Sequence, residues 1–136
     1  MQLNPYISFN GNCEQAFRFY HKVLGGEIVA MFPHAGTPAE SHVAPEWRDK
    51  IMHAALRIGD QWLMGGDPPP GNYHKPQGFC VSVHVQDPAE ADRVFQALSE
   101  GGRVTMPIQE TFWALRFGML IDKFDVPWMV NCGKPM

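Results

Sequence analysis

Apolar and polar positions run through the same order twice along this chain. Residues 7 to 29, ISFNGNCEQAFRFYHKVLGGEIV, align without a gap on residues 83 to 105, VHVQDPAEADRVFQALSEGGRVT, at a constant offset of 76 residues. Glu14 then meets Glu90, Phe19 meets Phe95, and Gly25-Gly26 meets Gly101-Gly102. Each copy begins with an alternating apolar segment, which predicts a strand, and passes through a polar cap into a helical period. Ala16, Phe19, Tyr20, Val23 and Leu24 gather on one face of the first helix, and Ala91, Val94, Phe95 and Leu98 on one face of the second. Asn12 with Gln15, and Asp87 with Pro88 and Glu90, have the spacing of side chains that satisfy open N–H groups at a helix start. The paired glycines supply a left-handed stop and a tight return into the next strand.

Each copy continues with two apolar segments split by a polar turn. IMHAALRI and QWLMGG flank Gly59-Asp60, while LRFGMLI and VPWMVN flank residues 122 to 125, and both read as hairpins. The chain is therefore expected to be α+β, one domain spanning 1–136 built of two tandem βαβββ modules. The first covers 1–66, the connection 67–77 and the second 78–136. Residues 32–50 lack a period and carry three prolines, which predicts an irregular surface loop inside the first module. The connection is stiffened by its own prolines.

Composition narrows the function. A net charge of −3, with 11 scattered Lys and Arg residues, leaves no basic footprint for nucleic acid. The N-terminal MQLNPYISF has no basic region leading into an apolar run, and no window approaches the roughly 18 consecutive apolar residues of a membrane span. A soluble, cytoplasmic protein is expected. Cys13, Cys80 and Cys132 are an odd set without CxxC spacing, which suits free thiols better than disulfides or a zinc knuckle.

The segments PYISFNGNCEQAFRFYHKVLGG, KIMHAALRIGD, QETFWALRFGMLIDKF and VPWMVN resemble the PhnB-like branch of the vicinal oxygen chelate superfamily, which includes glyoxalase I, bleomycin-resistance proteins and extradiol dioxygenases. One departure is Asp125, where that branch usually has a turn glycine. The resemblance implies a half-open barrel, two curved sheets around a cavity with helices outside, and subunits paired as a homodimer. It also implies that metal-using relatives draw histidine and glutamate ligands from the first and last strands of each module. The corresponding residues here are Pro5 or Tyr6, Met64, Cys80 and Met129. Proline offers no donor and thioethers suit soft ions such as Cu(I), so no conventional metal site and no cofactor is expected. Methionine also fills irregular apolar space without any metal.

Among the histidines, His34, His42 and His74 fall in irregular loops, where a solvated role is expected, and His21 falls on the polar side of the first helix. Strict alternation in CVSVHV puts Cys80, Ser82 and His84 on the face away from the helix, and gives His53 the same face as Ala55 and Arg57. His53 is the first choice for a general base, because imidazole exchanges protons near neutral pH. Glu110, beside Phe112 and Trp113, is the second candidate acid or base if burial disfavours its charge. Met64, Cys80, His84, Trp113 and Met129 are candidate ligand-binding residues, with Trp113 and Trp62 able to stack on a planar molecule. No GxSxG, Walker loop, dinucleotide fingerprint or HExxH occurs, and the methyltransferase label attached to the PhnB-like branch finds no glycine-rich cofactor loop. The expected function is binding of a small organic molecule. The alternatives are a lyase, isomerase or dioxygenase-like enzyme using His53 and Glu110, and a drug- or metabolite-sequestering protein.

Overall fold

The computed structural model describes residues 1–135. The chain divides into two compact units, Met1–Lys75 and a second beginning at Pro76. The first holds β1 (Tyr6–Ser8), α1 (Cys13–Leu24), β2 (Glu27–Pro33), β3 (Ile51–Ile58) and β4 (Gln61–Gly66). The second holds β5 (Val81–His84), α2 (Pro88–Ser99), β6 (Arg103–Gln109), β7 (Ala114–Ile121) and β8 (Pro127–Gly133). Each unit is thus one βαβββ module with its own four-stranded sheet, ordered β1-β4-β3-β2 in the first and β5-β8-β7-β6 in the second. The first strand of each module pairs in parallel with the last, and the remaining pairs are antiparallel.

In the first module α1 covers one face of the sheet. Ala16, Phe17, Tyr20 and Val23 are buried there with Ile7, Ala54, Leu56 and Leu63. Phe9, Phe17 and Tyr20 meet one another at ring-centroid distances of 5.9 to 6.4 Å. Gly65 makes this packing possible, since a Cβ there would stand 2.6 Å from the Ile7 carbonyl oxygen and 3.0 Å from both Phe rings. In the second module Ala91, Val94, Phe95 and Leu98 of α2 are buried with Leu120, Trp128, Val130 and Cys132. Arg116 reaches from β7 to Asp92 of the helix at 3.1 Å.

The two helix starts are satisfied differently. Asp87 accepts from the Ala89 N–H, as its spacing predicts. Asn12 sits at the expected cap position but makes no side-chain bond. Its place is taken by Asp67, whose Oδ1 accepts from the Gly11 and Cys13 N–H groups while Oδ2 accepts from Ile51 N–H. Nor does Glu90 close a capping box, because Arg93 engages its carboxylate instead.

The stretch 32–50 is more ordered than its sequence suggests. Phe32 and Pro33 extend β2, and short 3₁₀ turns occupy Pro38–His42 and Pro45–Trp47. His34 corrects the expectation of a solvated loop histidine. It is buried, with Nε2 2.8 Å from the Asp67 carbonyl oxygen, a bond in which the ring nitrogen donates. In the β7–β8 turn Asp125 adopts φ 68°, the left-handed region that favours glycine and that Asp tolerates through its short polar side chain. The sequence departure at 125 therefore leaves the turn conformation intact.

Candidate functional site

With α1 sealing one face of the first sheet, the other face carries the candidate residues. Tyr6 lies opposite Met64, Met64 opposite Ala55, and Ala55 opposite Ala30. His53 lies opposite Phe32, and Arg57 opposite both Glu27 and Trp62. The Tyr6 ring stacks on His53 with centroids 5.9 Å apart and planes 18° from parallel. The Tyr6 hydroxyl leans over Gly66, 2.9 Å from where a Cβ would stand, and reaches the Met52 carbonyl at a long 3.4 Å. Burial first, then the charges of Cys13 and Asp67, raises the Tyr6 phenol above its usual pKa, so it stays protonated at neutral pH. Tyr6 and Phe32 nevertheless keep 54% and 52% of their surface exposed. His53 is half-buried, and among the described residues its side chain stacks on the Tyr6 ring and makes no hydrogen bond or ion pair.

At one end of this face a groove of about 700 Å³ is lined by Gln2, Glu27, Arg57, Asp60 and Trp62. The Arg57 guanidinium sits 5.9 Å from the Trp62 ring centroid and 3.0 Å from the Glu27 carboxylate. Both charged side chains remain largely exposed, so this pair shapes the groove more than it stabilises the fold.

The second sheet has a matching open face. Ser82 lies opposite Met129, Met129 opposite Met119, and Met119 opposite Met106. His84 lies opposite Asn131, and the Asn131 amide is 3.1 Å from His84 Nδ1. Trp113 meets Phe117 edge-on at 5.3 Å and Phe112 at 4.7 Å. Trp113 is 48% exposed and lies in the turn before β7, so FWALRFGMLI is not strand from its first residue.

Two candidates change standing with these positions. Glu110 is exposed and paired with Lys134 at 3.3 Å, so the burial that an acid–base role for it requires is absent. Cys80 lies just outside β5, and the register puts Ser82, not Cys80, opposite Met129. In the first module it puts Tyr6, not Pro5, opposite Met64. The register therefore sets Tyr6 beside Met64 in one module and Ser82 beside Met129 in the other. Phenol, hydroxyl and thioether donors do not fit a divalent zinc, nickel or manganese centre, which draws on imidazole and carboxylate. Among the described residues no group of three His, Cys, Asp or Glu side chains is placed to hold a metal ion.

Comparison with known proteins agrees with this architecture. The family model for the Glyoxalase/Bleomycin resistance protein/Dioxygenase superfamily matches residues 2–130. The chain belongs to that superfamily. Within the superfamily, protein YjdN of Escherichia coli strain K12 is 36% identical over 142 residues, covering 98% of this chain and 97% of YjdN. The crystal structure of protein PA1353 from Pseudomonas aeruginosa superposes with a TM-score of 0.91 at 47% identity, covering 99% of each chain. A putative 3-demethylubiquinone-9 3-methyltransferase, PhnB protein, from Bacillus cereus shares the fold at a TM-score of 0.82 and 24% identity, covering 98% of this chain and all (100%) of that one. The resemblance read from PYISFNGNCEQAFRFYHKVLGG and VPWMVN is thereby placed in its superfamily. No helix among the described residues is long and apolar enough to cross a membrane.

Proposed function

We propose that this superfamily member binds a small, ring-bearing organic molecule on the open face of its first sheet. Tyr6, His53, Phe32 and Met64 form the apolar contact surface there, and Arg57 beside Trp62 receives a polar or anionic end of the ligand. The observation that carries this reading is the Tyr6–His53 stack next to exposed Phe32, on a sheet whose other face is already filled by α1. Exposed rings of this size mark binding surfaces, because leaving them in water forgoes the stabilisation of burial. The matching face of the second module offers Met129, His84 and Trp113 for the same purpose, with Cys80 at the strand entry. Sequestration of a drug or metabolite is one outcome of such binding and requires no further chemistry.

A fragment library of aromatic acids and amides, titrated into ¹⁵N-labelled protein, tests the reading. Binders should shift the amides of Tyr6, Phe32, His53 and Met64, and Tyr6→Ala with Phe32→Ser should remove the shifts. Binding that survives both substitutions would sink this location.

The unbonded ring nitrogens of His53 favour a second reading, an acid–base lyase or isomerase working on the bound molecule. His53→Gln should then abolish turnover while the fragment affinities persist. A ligand recovered chemically unaltered after long incubation would favour sequestration. We also propose a cytoplasmic homodimer, supported by the unpaired edges that β2 and β6 leave in their sheets. Sedimentation analysis at micromolar concentration should return twice the chain mass.

A further inference from the structure

We infer that the open face of the second sheet carries a binding site for one soft monovalent cation, Cu(I) or Ag(I), formed by the thioether sulfurs of Met106, Met119 and Met129. The three residues stand in one lateral row across β6, β7 and β8, Met106 opposite Met119 and Met119 opposite Met129. Met119 and Met129 share the face away from α2, and Met106 joins the row as the register partner of Met119. A Cβ at Gly118 would meet Phe95 of the helix at 2.6 Å, and Leu120, Trp128 and Val130 are buried on that same side. The intervening residues 119 and 129 therefore point the other way.

Neighbouring strands lie about 4.8 Å apart, so the outer two backbones flank the central one within about 10 Å. Three rotatable bonds let each outer methionine lean toward Met119, and the sulfurs can close on a single ion. The β6 bulge between Val104 and Met106 contributes to this alignment. The register shifts there, and without the extra residue the chain would oppose Met119 with Thr105. Met106 keeps 38% of its surface exposed, while Met119 and Met129 are half-buried, so an ion can reach the row.

Donor chemistry selects the ion. Thioethers are soft, neutral ligands that favour Cu(I) over zinc, manganese or magnesium. No carboxylate or imidazole stands in the row, whose fourth member is Ser82. The corresponding row of the first module runs Tyr6, Met64, Ala55, Ala30, with one sulfur, so the site is specific to the second module. This site shares Met129 with the second-module surface described above but does not depend on the organic ligand proposed for the first sheet.

Silver nitrate in chloride-free buffer is the redox-inert probe, added to protein labelled with ¹³C at the methionine methyl groups. Cys80→Ser removes the half-exposed thiol that would compete, while Cys13 and Cys132 are fully buried. Of the 8 methionines, the methyl signals of Met106, Met119 and Met129 should move together and saturate near one equivalent. Met119→Leu, which conserves volume, should weaken silver binding by roughly tenfold or more without lowering the melting temperature, and Met106→Leu should do so independently. Shifts confined to other methionines, unchanged affinity in both variants, or silver taken up only by cysteine would overturn the assignment.

Discussion

Asp67 holds the backbone N–H of Cys13 at 3.1 Å although 54 residues separate them in the chain. The same carboxylate accepts from Gly11 and, through its other oxygen, from Ile51, so one buried side chain fastens the start of α1 to the start of β3. Without it, three backbone donors lose their acceptor, two of them buried and the third, Gly11 N–H, partly so. Asp67→Ala should lower unfolding stability by about 3 kcal/mol or more, at roughly 1–3 kcal/mol per unsatisfied group. Urea denaturation measures the loss, and faster hydrogen exchange at Cys13 and Ile51 should accompany it. A change near zero would mean that water or a shifted side chain replaces the carboxylate.

Asp122 plays a comparable part in the second module. Phe124 and Val126 donate backbone N–H groups to its Oδ1, and the buried Trp128 indole donates to Oδ2 at 2.8 Å. Asp122→Ala is expected to cost about 3 kcal/mol for the same reason and to change the Trp128 fluorescence spectrum in the native state. Asp122→Asn, which keeps one carbonyl acceptor, should lose less.

Gly66 is required by space and not by dihedral angle. A Cβ at this position would stand 2.5 Å from the Met52 carbonyl oxygen and 2.9 Å from the Tyr6 hydroxyl. Gly66→Ala should therefore cost about 1–3 kcal/mol as an overpacking change and push Tyr6 off His53. The loss of ring-to-ring NOEs between Tyr6 and His53, together with weaker fragment binding, would report the displacement. Retained NOEs at full stability would show that the neighbouring backbone yields easily.

Alkaline pH should destabilise the protein through Cys13. Burial, then the charges of Asp67 and Glu14, hold this thiol well above its usual pKa in the native state. An unfolded thiol titrates near pH 8.5. Below that pH both states keep the proton and the contribution is fully present. Above it the unfolded chain releases a proton that the native chain retains, so stability falls by up to about 1.4 kcal/mol per pH unit. Cys13→Ala should flatten the stability profile between about pH 8.5 and 10 relative to the parent. Iodoacetamide should modify half-exposed Cys80 well before Cys13 or Cys132. Equal slopes for parent and variant would remove Cys13 from the account.

Local rules were enough to find the modules. Period-2 segments, helical stripes and the paired glycines at residues 25 and 101 onward placed every strand and both helices to within a few residues, because these patterns follow from where side chains point along a helix or strand. His53, Ala55 and Arg57 sharing a face was legible for the same reason. Residues 32–50 were harder, since their order rests on contacts with distant positions. His34 is buried with its ring against the Asp67 carbonyl, and the Trp47 indole is held by the Pro68 carbonyl at 3.1 Å. No local period records either bond.

Register divides what remains. By itself the sequence determined two βαβββ units and most of their helix-facing cores, which depend on residue type and spacing along one segment, although Phe17 and not Phe19 is the ring that α1 buries. Only the tertiary structure decided that Tyr6 and Ser82 stand opposite Met64 and Met129, that a bulge brings Met106 into line with Met119, and that Asp67 caps a helix remote in sequence. Those are pairings between segments, and a one-residue slip would exchange every side chain between the two faces of a sheet. Such choices are settled by the combined packing of all the strands, which no single stretch of the chain contains.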